Sequence, residues 1–118
     1  MKTIITLIAL TFSLAFTAAD KLTGRWESKP SVNGNVTGVV FKENIAFEGY
    51  VNKKPFTSGS YTLQDDIFTF TDNGCQSMTG VYKILFFSNS DSLRYQAVSD
   101  SCTARKNGME KLVSGRVK

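Results

Sequence analysis

The sequence predicts an all-β protein, an eight-stranded antiparallel up-and-down (meander) β-barrel. Apolar and aromatic residues alternate with polar ones in short runs separated by Gly, Asn, Asp, Ser and Pro, without a sustained helical period. Eight such runs follow one another through short connections, as a meander requires. Closing a meander into a barrel removes the two unpaired edges of a flat sheet. The positions of the two cysteines give a third, independent indication.

The first 19 residues have the pattern of a signal peptide. Lys2 supplies a positive charge, 4–16 is a mostly apolar run, and the small residues 17–19 form a cleavage site before Asp20. The apolar run is shorter than the roughly 20 residues of a membrane-spanning helix. No cysteine lies near the cleavage site, so lipid attachment there has no support. We therefore expect a secreted or periplasmic protein whose mature chain, residues 20–118, is one domain.

The first half of the mature chain contains four predicted strands. The first holds the single tryptophan, in Gly24-Arg25-Trp26, and a polar loop with Asn33-Gly34 follows it. A tight turn at 43–44 separates the second and third strands, and Lys53-Lys54-Pro55 separates the third and fourth. The four strands are predicted at Leu22–Ser28, Val36–Glu43, Ile45–Asn52 and Phe56–Leu63.

The second half contains four more strands. A short hairpin at Gln64-Asp65-Asp66 precedes the fifth, and a loop at 100–108 precedes the last. These strands are predicted at Ile67–Thr71, Met78–Phe87, Ser92–Ser99, and from Met109 or Glu110 to Val117. Because Thr and Phe alternate in strands four to six, the sequence does not determine which face of these strands points into the barrel.

Cys75 and Cys102 predict one structural disulfide. An even number of cysteines in an exported chain is typical of a disulfide. Cys75 falls between strands five and six and Cys102 between strands seven and eight. Alternate loops of a meander lie at the same end of the barrel, so the two cysteines are expected to lie close together.

Charge indicates no nucleic-acid partner. Without Lys2 the chain retains 13 Lys and Arg against 10 Asp and Glu, a net charge of +3. These charges are spread over strands and turns, whereas nucleic-acid proteins have a dense basic face with stacking aromatics. We expect no membrane span in the mature chain.

The residues predict no catalytic, cofactor or metal site. Histidine is absent from the sequence, which removes Ser-His-Asp and Cys-His catalysis and the usual zinc sites. Asp65-Asp66 is a solvated turn rather than a carboxylate pair. No glycine-rich phosphate-binding pattern occurs. We expect that the protein is not an enzyme.

Several short segments resemble the lipocalin and calycin superfamily, in particular small secreted bacterial lipocalin-like proteins. They are Gly24-Arg25-Trp26 at the start of strand one, Ser58–Leu63 and Asp100–Arg105. The resemblance implies that Trp26 packs at the closed end of the barrel beneath an arginine, with Arg116 as first candidate and Arg105 as second. The implied role of Gly24, Trp26 and this arginine is structural. Avidins share a similar opening, but they enclose biotin with several tryptophans, and this chain has one.

The barrel interior is the candidate binding site. An eight-stranded barrel is filled by its own side chains or holds one small ligand. The expected inward residues are Val39, Phe41, Ile45, Phe47, Val51, Tyr61, Leu63, Phe68, Phe70, Tyr82, Ile84, Phe86, Leu93 and Tyr95. The ligand-binding candidates among them are Phe41, Phe47, Tyr61, Phe68, Phe70, Tyr82, Phe86 and Tyr95. Tyrosine hydroxyls would orient the ligand, and a pocket would open at the disulfide end, away from Trp26.

Two functional hypotheses remain from the sequence. In the first, the exported barrel binds or carries a small hydrophobic molecule in its interior. In the second, the interior is packed, and the loops bind another protein as an inhibitor or as part of an envelope assembly.

Overall fold

The computed structural model describes residues 21–118 and confirms the predicted all-β barrel. Its eight strands pair antiparallel in chain order, and β1 also pairs with β8, which closes the sheet. The predicted signal peptide, residues 1–19, lies outside the described residues. The strands are β1 Gly24–Ser28, β2 Thr37–Phe41, β3 Ala46–Val51, β4 Lys54–Gln64, β5 Ile67–Asp72, β6 Gly80–Phe87, β7 Ser92–Ser99 and β8 Val113–Arg116.

The core lies inside the barrel because one face of each strand is apolar. Side chains alternate across a strand, so the pairing of Leu63 with Phe68 and of Phe68 with Tyr82 places these residues on one face. This register answers the question left open for strands four to six. The buried apolar cluster inside the barrel consists of Leu22, Trp26, Phe41, Phe47, Tyr61, Phe68, Phe70, Tyr82, Ile84, Leu93 and Tyr95.

The prediction that Ile45 faces the interior is wrong. β3 begins one residue later, and Ile45 lies in the turn before it with a φ of 64° and a side chain that is 53% exposed. The pairing of Phe41 with Phe47 sets the register of this hairpin. Ile45 therefore closes the turn rather than continuing the inward face of the strand.

The prediction for the segment after Asp100 is also wrong, because part of it is a helix. Helix α1 spans Thr103–Lys111, where a loop and the start of the eighth strand were expected. β8 is correspondingly short, with only four residues. No residue of α1 is fully buried. A helix lying on the surface of a barrel end needs little apolar periodicity, and the pattern of alternation therefore did not reveal it.

The two ends of the barrel differ. The connections β1–β2, β3–β4, β5–β6 and β7–β8 lie at one end, which we call the mouth, and α1 belongs to the last of them. The other three connections lie at the opposite end, the closed end, where β1 begins and β8 ends. Among residues 21–118, no helix has the length and apolar character needed to cross a membrane.

Candidate functional site

Trp26 fills the closed end of the barrel. Its indole is completely buried, and Nε1 donates a hydrogen bond to the carbonyl oxygen of Leu22 at 2.8 Å. The ring of Phe86 packs against it with a centroid distance of 6.1 Å. The polar edge of the indole is therefore satisfied, and its apolar surface is covered. Phe86, one of the predicted ligand-binding residues, lies here.

Arg116 covers Trp26 from the outside. Its Cζ atom lies 4.3 Å from the centre of the indole ring, a cation–π contact. The guanidinium also donates hydrogen bonds to the carbonyl oxygens of Lys21, Thr23 and Ser90. Arg116 thus joins the start of β1 to the turn between β6 and β7.

Gly24 is needed beside this arginine. Its φ is +127°, a conformation that side-chain-bearing residues rarely adopt. The Nη1 atom of Arg116 lies 3.5 Å from the position that a Cβ of residue 24 would occupy. The structure places Gly24, Trp26 and Arg116 together, and it places Arg105, the second candidate for this role, at the opposite end.

Aromatic rings occupy the middle of the barrel. Phe41 packs edge-on against Phe68 with a centroid distance of 5.6 Å, and Phe47 packs edge-on against Phe70 at 5.7 Å. Phe68 and Phe70 stack at 5.1 Å. Through these contacts the four rings form a continuous surface, the aromatic wall, and each ring is held in one orientation by its neighbours.

A cavity of about 680 Å³ lies between this aromatic wall and the mouth. Of the eight predicted ligand-binding residues, five line it: Phe41, Phe47, Phe68, Phe70 and Tyr95. Cys75 and Cys102 also line it, whereas Trp26 does not. The cavity is thus on the disulfide side of the barrel, and its volume is within the range of small-molecule sites.

The other three predicted residues do not line the cavity. Phe86 packs on Trp26 at the closed end. Tyr61 is buried in the aromatic cluster, and its hydroxyl donates to the carbonyl oxygen of Lys42 at 3.0 Å. The hydroxyl of Tyr82 donates to Asp100. Two of the three tyrosine hydroxyls expected to orient a ligand therefore already have protein partners.

Helix α1 supplies a wall of the cavity that the sequence did not predict. The cavity-facing helix residues are Ala104, Arg105, Gly108 and Met109, and Leu112 follows immediately after the helix. Their spacing of one, four, five and eight residues from Ala104 is that of one helical face. This spacing is the signal that was available in the sequence. It is weak because only Met109 and Leu112 are large and apolar.

The disulfide confirms the predicted pairing and fixes the start of α1. Cys75 and Cys102 are bonded, with 5.9 Å between their Cα atoms. Cys102 occupies the N-cap position of α1, and Cys75 begins a tight turn, Cys75–Ser77, between β5 and β6. The helix is therefore covalently tied to the neighbouring connection at the mouth.

In addition to the disulfide, a buried ion-pair network attaches α1 to the barrel. Arg105 binds both carboxylate oxygens of Asp100 through Nε and Nη2, each at 2.8 Å. Its Nη1 atom donates to Asp72 at 3.2 Å, and its guanidinium lies 4.7 Å from the ring centre of Phe70. The side chains of Asp100, Arg105 and Asp72 are less than a tenth exposed. The network links α1, β5 and the end of β7.

The network shifts the pKa values of its members. Burial by itself would raise the pKa of Asp100, but hydrogen bonds from Arg105, Tyr82 and the Cys102 amide outweigh it and lower the pKa to about 2. The hydrogen bond to Asp100 raises the pKa of Arg105. Burial, followed by the hydrogen bond to Asp100, raises the pKa of Tyr82. All three groups therefore keep their charge states throughout the neutral range.

Two hydroxyl groups beside the cavity have no such network. Burial raises the pKa of Tyr95, and neither a hydrogen bond nor a nearby charge contributes to this shift. Ser114 in β8 is buried at 1% exposure and lines the cavity. Among residues 21–118, its Oγ is the one buried side-chain oxygen or nitrogen without a hydrogen-bond partner.

The cavity is lined mainly by apolar and aromatic side chains. Among residues 21–118, no group of three or more His, Cys, Asp and Glu is placed to hold a metal ion. The carboxylates that line or border the cavity, Asp72 and Asp100, are bound by Arg105. The arrangement can enclose an apolar molecule and offer it a small number of hydroxyl groups.

No protein-family model matches the chain, and no curated protein matches it. The closed eight-stranded meander fits a calycin-like fold.

Proposed function

We propose that this protein binds a small apolar molecule in the cavity at the mouth of its barrel. The observation that carries the proposal is a volume of about 680 Å³ lined by Phe41, Phe47, Phe68 and Phe70. Contact with these rings removes apolar ligand surface from water, which is favourable by about 25 cal/mol per Å². The rings already pack against one another, so little side-chain ordering is needed on binding.

Support also comes from the way in which α1 is held. The helix forms part of the cavity wall, and the disulfide and the Arg105 network both fasten it to the barrel. No residue of the helix is fully buried, and Met109 packs against the core cluster as a partly buried side chain. The attachment of the helix at two points is consistent with a role in shaping the cavity.

The second hypothesis, a loop-mediated protein partner, assumed a packed interior. The cavity favours ligand binding over that alternative. A pull-down from the native host distinguishes the two, since a stoichiometric protein partner would favour the second.

We infer further that the protein is an exported, lipocalin-like carrier. The Cys75–Cys102 disulfide supports an oxidising compartment such as a periplasm or the cell exterior. The calycin-like barrel and the cover of Arg116 over Trp26 support the lipocalin-like assignment. The signal peptide at residues 1–19 remains a prediction from the sequence.

Titration with N-phenylnaphthylamine, a neutral fluorophore that brightens in apolar surroundings, tests the proposal. Gly108 lines the cavity, and no atom lies within 4 Å of the position of a Cβ at this residue. We expect saturable binding to the purified protein and to Gly108→Ala. Gly108→Trp places an indole at the mouth, and we expect it to weaken binding at least about tenfold.

Gly108→Ala is the matched control because it changes the same position without filling the cavity. It should also stabilise α1 by about 0.5–1 kcal/mol, since Gly is the poorer helix former. Absence of saturable fluorescence with the unaltered protein, together with native mass spectra that show no bound molecule after incubation with a lipid extract, would contradict the proposed function.

A further inference from the structure

Ser114 presents an unusual hydroxyl at the wall of the cavity. Buried hydroxyl groups in proteins nearly always have a hydrogen-bond partner, and this one has none among the described residues. Ser114 pairs with Leu93 on β7 and with Ser28 on β1, so it lies on the inner face of the barrel. Arg116, which lies at the closed end, follows it by two residues. Ser114 is a residue of the cavity wall. Its hydroxyl, which has no protein partner, can form a hydrogen bond with a molecule that the cavity holds.

We propose that the cavity binds a molecule with an apolar body and one neutral polar group, which forms a hydrogen bond with the Ser114 hydroxyl. This inference rests on the proposed function and adds the chemical class of the ligand. Alcohols, ketones and amides are members of that class.

Tyr95 provides the second contact. It lies on β7, two residues after Leu93, which pairs with Ser114, and its side chain therefore belongs to the same inner face. It lines the cavity, and burial without an opposing hydrogen bond raises its pKa. Its hydroxyl is neutral at physiological pH and can donate to a ligand oxygen.

The charges around the cavity exclude an anionic group at this position. Among residues 21–118, Arg105 is the one basic residue that lines the cavity, and it is already bound by Asp100 and Asp72. Two carboxylates against one guanidinium leave no positive charge for a ligand carboxylate or phosphate. Burying such a group beside Ser114 without a counter-charge would be strongly unfavourable.

Three probes of similar size test the inference through displacement of N-phenylnaphthylamine at pH 8. They are phenylpentanol with a terminal hydroxyl, hexylbenzene, and phenylpentanoate. We expect Ser114→Ala to weaken binding of phenylpentanol by about 3–10-fold, the effect of one hydrogen bond, and to leave hexylbenzene unchanged. Phenylpentanoate should bind at least about tenfold more weakly than phenylpentanol and should not respond to Ser114→Ala. Tyr95→Phe should also weaken phenylpentanol selectively.

Thermal unfolding of the ligand-free variant gives a readout that needs no ligand. Removing a buried hydroxyl without a partner should raise the Tm of Ser114→Ala by about 2–8 °C. Ser60→Ala, at an exposed position of β4, is the control and should change neither Tm nor affinity.

The outcomes separate this inference from the function on which it rests. If the fluorophore and hexylbenzene bind but Ser114→Ala leaves phenylpentanol unchanged, the inference is overturned and the proposed function stands. An unchanged or lowered Tm also overturns it, because the hydroxyl would then already have a partner. If neither the fluorophore nor any probe binds, the proposed function itself fails.

Discussion

At the scale of single residues, Trp26 and Arg116 close one end of the barrel by complementary means. The indole supplies apolar volume, and the guanidinium covers it while donating hydrogen bonds to the backbone carbonyl oxygens of Thr23 and Ser90. Arginine is suited to both tasks because its planar group stacks on an aromatic face and carries several donors in fixed directions. Lysine has one charged centre and cannot do both.

We predict that Arg116→Lys lowers the free energy of unfolding by about 1–2 kcal/mol. The change removes the stacking on Trp26 and most of the hydrogen bonds to the carbonyl oxygens of Thr23 and Ser90. Urea unfolding followed by the fluorescence of the single tryptophan measures it. Arg94→Lys, at an exposed position of β7, is the control and should change stability by less than about 0.5 kcal/mol.

We predict that Asp100 makes the free energy of unfolding depend on pH in the acid range. Its pKa in the folded protein, about 2, is below the value in an unfolded chain. Asp100 therefore stabilises the fold above about pH 4, and this contribution, on the order of 2 kcal/mol, is lost as the pH falls towards 2. Asp100→Asn should be less stable at pH 7 and should approach the unaltered protein near pH 2. Urea unfolding at several pH values measures both.

Asp65→Asn serves as the control for this titration. Asp65 lies exposed in the turn between β4 and β5, where asparagine tolerates the same positive φ. Its variant should keep the full loss of stability between pH 4 and 2. If Asp100→Asn lost as much stability between pH 4 and 2 as the unaltered protein, the network around Arg105 would not be the source of this loss.

At the scale of elements, α1 depends on the connections around it. Its sequence contains Asn107 and Gly108, which are poor helix formers, and no residue of the helix is fully buried. Short isolated helices of this kind are unstable in water. The disulfide at Cys102 and the ion pairs of Arg105 hold the helix from outside.

We predict that the double variant Cys75→Ser, Cys102→Ser loosens α1 before it affects the sheet. Loss of the cross-link should lower the free energy of unfolding by about 3–4 kcal/mol in the chain-entropy model. Hydrogen exchange should accelerate in 103–111 at denaturant concentrations where β5 and β6 stay protected. The reduced unaltered protein should behave in the same way. Unchanged exchange in α1 would mean that the Arg105 network alone holds it.

The dependence of α1 on distant residues explains why the sequence did not predict it. Strands can be recognised in a sequence because apolar and polar residues alternate along them. Alternate connections of a meander lie at the same end of the barrel, which places both cysteines at one end, so the disulfide was predictable. Asp72 ends β5, whereas Asp100 and Arg105 lie in the connection between β7 and β8. The pairing of Arg105 with Asp72 therefore forms only when β5 and this connection come together in the closed barrel. No local pattern encodes such a meeting. The cavity wall formed by Gly108 and Met109 was hidden for the same reason.

At the scale of the whole molecule, the barrel closes through its shortest strand. β8 has four residues and pairs with both β7 and β1. β5 and β6 are longer and contribute Phe68, Phe70, Tyr82 and Ile84 to the buried cluster. The sheet is therefore continuous, but β5 and β6 contribute more to the buried core than β8 does.

We predict that the barrel opens first along β8. Regions with few buried apolar contacts open at lower free energy than the core strands. In native-state hydrogen exchange, amides of 113–116 should exchange earlier than those of 80–87 as urea is raised. Equal protection in the two strands would instead indicate that the barrel opens only by global unfolding.

The barrel as a whole was predictable, whereas its interior was predictable only in part. Alternation predicted a set of inward residues but did not determine the inward face of strands four to six, and five of the eight expected ligand-binding residues do line the cavity. Tyr61 and Tyr82 fell outside it because their hydroxyls found protein partners at opposite ends. Such pairing depends on where a side chain ends in space, and alternation specifies only the face from which it starts.

Both ends of the described chain lie at the side sealed by Trp26, and Lys118 is held there by an ion pair of 2.9 Å with Asp91. A sensor surface, a fluorescent fusion or an affinity resin attached behind Lys118 would consequently sit on the far side from α1. Immobilised molecules would all present their opening to the solution, which makes this chain a convenient scaffold for detecting whatever enters it.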